Sequence, residues 1–155
     1  MRSVISVLTV ALLVSMISVV AVSAQGMKDP RIGVWKLNVA KSTFPNGNAP
    51  KSGTRTYEDR GDGMVLYKQE GINAQGNSGV LYTVYKLDGK PYPQATQNVK
   101  DVPMIAQKLV DPYTVEATNM LDGKVTGGAT QTVSKDGKTL TIKNKNGVVQ
   151  VFEKQ

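Results

Sequence analysis

Six tyrosines, one tryptophan and a small knot of carboxylates are the side chains of this sequence best suited to chemistry. The tyrosines are Tyr57, Tyr67, Tyr82, Tyr85, Tyr92 and Tyr113. A buried phenol needs a partner for its hydroxyl, so several on neighbouring strands would supply the sparse polar points of an otherwise apolar ligand pocket. The competing account is that they pack and pair along strands, where aromatics are favoured in any case. Tyr82 and Tyr85 have opposite parity, so a regular strand turns only one of them inward. Trp35 is the single tryptophan and is expected to plug the core before it touches a ligand. The candidate ligand-binding residues are thus Trp35, Tyr57, Tyr67, Tyr82 and Tyr85.

The acidic residues argue against catalysis. Glu58, Asp59 and Asp62 are the densest group, but Asp59-Arg60-Gly61-Asp62-Gly63 lacks the further acidic ligands of a calcium loop. A glycosidase needs two carboxylates facing across a cleft, and nothing in the sequence sets Glu70 or Glu116 opposite another acid. Arg60-Gly61-Asp62 spells an adhesion tripeptide, although Asp-Gly turn chemistry accounts for it without that role. The chain has no His and no Cys. That removes histidine-based catalytic machinery together with the usual zinc, iron–sulfur and histidine-ligated haem sites. The expectation is a binding or interaction protein: no enzyme, no catalytic residue, no metal, no cofactor.

A chain of 155 residues suits one small domain. Residues 1–24 read as a signal peptide: Arg2, then the apolar run Val4 to Val22, then Val22-Ser23-Ala24. Cleavage near Ala24 would leave residues 25–155 as the domain, secreted or periplasmic; the rival is an uncleaved anchor, since the run nearly spans a bilayer. Without cysteine such a domain is stabilised by its core alone, which this length allows. The net charge is +7, from 19 Lys+Arg against 12 Asp+Glu, and the excess is scattered lysine. Nucleic-acid binding would gather arginine and aromatics in one region, so no nucleic acid is expected; weak attraction to an anionic envelope surface is. Lys135, Lys138, Lys143 and Lys145 make the last hairpin basic, as a solvent face would be.

Strand signals fill the chain after Gly26. Asp62-Gly63, Asp88-Gly89, Asp122-Gly123, Asp136-Gly137 and Asn146-Gly147 punctuate it as hairpin turns. Between them lie β-prone runs, nine with Ile32–Asn38 included, and a tenth near Tyr92–Gln97. Leu140 and Ile142 alternate with threonine and lysine, and Val115 and Ala117 with Glu116 and Thr118. Val80 to Tyr85 is apolar on both faces, which predicts a more central or doubly covered strand. Ala40 to Ser52, with Pro45, Asn46-Gly47 and Pro50, is a loop long enough to cover one barrel end. Successive hairpins favour an all-β, antiparallel up-and-down barrel of 8–10 strands, whose closure removes exposed edges.

Gly33-Val34-Trp35 at the start of the first strand resembles the Gly-x-Trp signature that opens lipocalins and related calycin barrels. The wider run Gly33 to Asn38, Lys41-Ser42 and Tyr57-Glu58 is similar to small exported bacterial lipocalin-like proteins of uncharacterised function. So are Asp88 to Pro93, Val133 to Thr141 and the closing Val151 to Gln155. The resemblance implies a lipocalin-like barrel, with Trp35 at its closed end. It departs from secreted lipocalins in lacking paired cysteines, and from fatty-acid-binding barrels in lacking a helical lid. The expected activity is binding of a small, largely apolar, hydrophobic molecule in the barrel interior by a monomer. The alternative is a non-catalytic envelope structural or interaction module whose barrel is filled by its own side chains.

Overall fold

The computed structural model describes residues 28–96 and 100–155. The N-terminal segment read as a signal peptide lies outside them. Eleven strands follow in order: β1 (Gly33–Leu37), β2 (Ser52–Asp59), β3 (Val65–Ile72), β4 (Ser78–Tyr85), β5 (Asp88–Pro93), β6 (Ala95–Thr96), β7 (Met104–Asp111), β8 (Thr114–Leu121), β9 (Lys124–Val133), β10 (Thr139–Asn144) and β11 (Val149–Lys154). They form one antiparallel sheet in the order β5-β7-β8-β9-β10-β11-β1-β2-β3-β4-β6. All nine expected strands are present. The tenth starts earlier, at Asp88, and breaks at Gln94, which raises the count to eleven.

That break nearly closes the barrel. β5 pairs with β7 and β6 pairs with β4, so one stretch of chain serves both edges of the sheet. Across the seam Thr83 Oγ1 donates to the carbonyl of Pro93 at 2.8 Å. The tight turns behave as their dipeptides require: Asp122 and Gly123 both have positive φ, at 50° and 72°, the two-residue geometry that matches strand twist.

Alternation decides what points inward. Leu140, Ile142, Val115 and Ala117 are buried, and Glu116 is exposed, as their parity predicts. Val80 to Tyr85 departs from expectation. Its outer residues Tyr82 and Val84 are each 41% exposed, because β4 lies beside the seam with no second layer over it. The loop from Ala40 does not simply span a barrel end. It opens with a 3₁₀ turn at Val39–Lys41 and is tied back to the start of β11 by the Thr43–Val149 bridge, so that Pro50 is its contribution to the open end. Lys135, Lys138, Lys143 and Lys145 are all exposed.

β1 runs from the closed end toward the open one. Gly33 has φ +129°, and a side chain there would meet Lys154 Cε at 2.9 Å. Lys154 Nζ sits 5.1 Å from the Trp35 ring centroid, so glycine gives β11 the room to lay a cation on the buried indole.

Candidate binding site in the barrel

The closed end is sealed by a polar plug. Arg31, just ahead of β1, is 0% exposed. Its Nε and Nη2 donate to Asp29 Oδ1 and Oδ2 at 2.9 and 2.7 Å, a bidentate ion pair. Nη2 also donates to the Tyr85 hydroxyl at 2.7 Å, and that hydroxyl donates on to Asp29 Oδ2 at 2.8 Å. Nη1 reaches Gln107 Oε1 at 2.6 Å and Gln131 Oε1 at 2.8 Å. All five guanidinium N–H bonds are thereby used. The Tyr57 ring centroid lies 4.7 Å from the Arg31 guanidinium carbon, and the Trp35 indole N–H donates to the Arg31 carbonyl at 2.6 Å.

Burial works to raise the Asp29 carboxyl, but the hydrogen bonds and charge of Arg31 outweigh it and hold the group below its ordinary 3.8. A carboxyl depressed by folding gives stability that is complete above its unfolded value and fades as pH falls through the folded one. Acid unfolding of the protein is therefore expected to steepen below about pH 4, and Asp29→Asn to flatten that dependence. Urea melts across pH 2–6 check this; an unchanged acid slope in Asp29→Asn would refute it. Burial pushes the Tyr85 and Tyr67 hydroxyls well above the usual phenol range, so both stay neutral.

Above the plug lies a cavity of about 220 Å³. Its apolar wall is Leu81, Ile105, Ala117, Ala129 and Ile142. Its polar wall is Arg55, Tyr57, Tyr67, the plug's Gln107 and Gln131, and four more carboxamides at Gln69, Gln94, Asn119 and Asn144. Tyr57 and Tyr67 stack with ring centroids 4.9 Å apart. Gln69 and Leu81 also line a second hollow of about 330 Å³ that continues to the open end between β2, β3 and β4. There Gly53, Gly71 and Gly79 succeed one another in register across three strands, leaving the mouth without side chains on that row.

The sequence-derived candidates divide three ways. Tyr57 and Tyr67 line the cavity. Trp35 and Tyr85 belong to the sealed plug, with Tyr57 reaching both. Tyr82 is corrected: it faces outward on β4, since Tyr85 has taken the inward parity. The wall of the inner cavity is also more polar than the largely apolar pocket expected. Inward glutamines and asparagines had no sequence signal beyond parity. Gln107 shares the parity of Ile105, and Gln131 that of Val133. Asp29, Arg31 and Arg55 went unassigned, although Arg55 shares the parity of Tyr57. Among the described residues no group of three acidic side chains is placed to hold a metal.

Comparison with known protein families and with curated proteins gives no match. Among solved structures the chain is similar to a de novo designed fluorescence-activating β-barrel at 12% identity and a TM-score of 0.39, covering 80% of this chain and 93% of the design.

Proposed function

We propose that this protein is a lipocalin-like carrier, exported after cleavage near Ala24, that holds a small molecule non-covalently inside the barrel and catalyses no reaction. The observation that supports this is the hollow interior. A barrel of this size can be filled by its own side chains, and the closed end is. Above the plug, however, Ala117 and Ala129 face inward as a cross-strand pair, and the glycine row keeps the mouth open. The inner cavity and its outer continuation together fall within the range of small-molecule pockets, concave and with a few convergent polar groups. The lining adjusts the expected ligand: it has a compact apolar body against Leu81, Ile105 and Ile142 and a polar portion for the carboxamides and phenols.

The test is a soluble mixture of small neutral, cationic and anionic aromatics added to ¹⁵N-labelled protein. Shifts at the backbone amides of Ala117, Ala129 and Gln131 by at least one member are the expected result. Spectra that no member moves would overturn the carrier and favour an interaction module with a collapsed interior.

A further inference from the structure

The barrel holds two inward arginines, and the fold treats them oppositely. Arg31 has its carboxylate and an acceptor for every N–H. Arg55, on β2 and lining the cavity, has neither. Its Nε is the one buried side-chain polar atom without a hydrogen-bond partner among the described residues. Its Nη2 reaches only Gln150 Oε1, at 3.5 Å, the weak limit of such a bond. Among the described residues none of the five ion pairs includes it, and none of the carboxylates lines the cavity. What holds the guanidinium is aromatic: the Phe152 and Tyr67 ring centroids lie 5.0 and 5.6 Å from its central carbon. Rings fix a cation in place without neutralising it.

The neighbouring groups share the same bias. Gln107 and Gln131 both line this cavity, and both have Oε1 committed to Arg31. Their remaining side-chain groups are Nε2 donors. The Tyr67 hydroxyl donates to Gln69 Oε1. With Tyr57 also donating to Gln131 Oε1, the chamber presents one guanidinium without a carboxylate partner and the Nε2 donors of Gln69, Gln107 and Gln131 beside an apolar wall. Arg55 is half-buried, but its Nε is enclosed without an acceptor; an unmade hydrogen bond at an enclosed donor is costly, and a ligand that supplied an anionic acceptor there would relieve that cost.

We propose that the cavity takes a small organic carboxylate, with its two oxygens on the Arg55 Nε–H and Nη–H and its compact body against Leu81, Ile105 and Ile142. Two parallel N–H···O bonds are the arrangement the guanidinium fork is shaped to make. This rests on the carrier reading above and names the class of its ligand. Arg55 is then the specificity-determining residue, selecting charge, while the walls select size.

The experiment titrates the purified protein with benzoate and with benzamide, which share a ring and differ in charge, following the amide signals and the Arg55 Nε–H signal by NMR. Benzoate is expected to bind at least tenfold more tightly than benzamide and to move the Arg55 Nε–H signal downfield. Arg55→Gln is expected to abolish that preference while keeping a dispersed, folded spectrum. Arg55→Lys, which keeps the charge but loses the fork, should retain part of it. Equal affinity for the two compounds in the parent protein, or a benzoate preference that survives Arg55→Gln, would overturn the carboxylate assignment and leave a carrier of neutral molecules. Absence of benzoate binding would overturn it as well, while the mixed-aromatic test separately decides whether the barrel carries anything.

Discussion

Asp29→Ala is expected to cost about 3–5 kcal/mol of folding stability, because it strands the Arg31 guanidinium inside the closed end with no counter-charge. At roughly 3–5 °C of melting temperature per kcal/mol for a domain of this size, the fall is on the order of 10–20 °C. The reasoning is local and checkable. Both side chains of the pair are fully buried, so solvent screening offers no relief. Gln107, Gln131 and Tyr85 supply dipoles but no negative charge. The cost is expected to be non-additive. Arg31→Met strands Asp29 in turn, whereas the double variant Asp29→Ala/Arg31→Met removes both charges and should be more stable than the sum of the single losses by about 2–3 kcal/mol. Denaturant melts of the four proteins of this cycle measure that coupling directly. Simple additivity would mean that the plug's charges act independently, in conflict with a bidentate pair at 2.7 and 2.9 Å.

The barrel itself was legible in the sequence because strands and turns are local. Asp122-Gly123 needs only its own φ angles, and Leu140 and Ile142 announce their face by alternating with Thr139, Thr141 and Lys143. Parity also resolved Tyr82 against Tyr85 to one inward residue, though not which of the two. The plug and the cavity's charge were not legible. Arg31 meets Gln107 and Gln131 across 76 and 100 residues of chain, and such meetings are set by strand register and barrel closure. An inward glutamine looks, in sequence, like an outward one. Here five polar side chains, Asp29, Arg31, Thr83, Gln107 and Gln131, are buried among the apolar ones. The polar half of the cavity wall was therefore not legible: the tyrosines could be counted, but the carboxamides and Arg55 share their parity without a signal of their own. Val80 to Tyr85 misled differently. Runs apolar on both faces normally signal a covered strand, but in a single-layer barrel beside its seam the outer face simply meets solvent.

If the space above the plug is what the protein uses, filling it should remove binding without harming the fold. Ala117→Leu places three more carbons on the inner wall, on a strand well separated from β2 and β3 in the sheet order. A cavity of about 220 Å³ corresponds to the liquid volume of roughly seven waters at about 30 Å³ each, so a leucine side chain takes up a large share of it. Because the added carbons enter open space, the variant should melt within a few degrees of the parent protein; overpacking penalties arise where a core is already full. Benzoate binding is expected to be lost. Thr118→Leu is the matched control: it adds bulk on the same strand but at outward parity, next to Ala117, and should leave affinity unchanged. Loss of binding in both variants would trace the effect to β8 as a whole, and unchanged binding in Ala117→Leu would move the ligand out of the inner cavity to the hollow at the mouth, where Gly79→Leu would then be the variant to block it. The contrast between Ala117 and Thr118, one residue apart and on opposite faces of one strand, thus asks whether the interior of this barrel is its working surface.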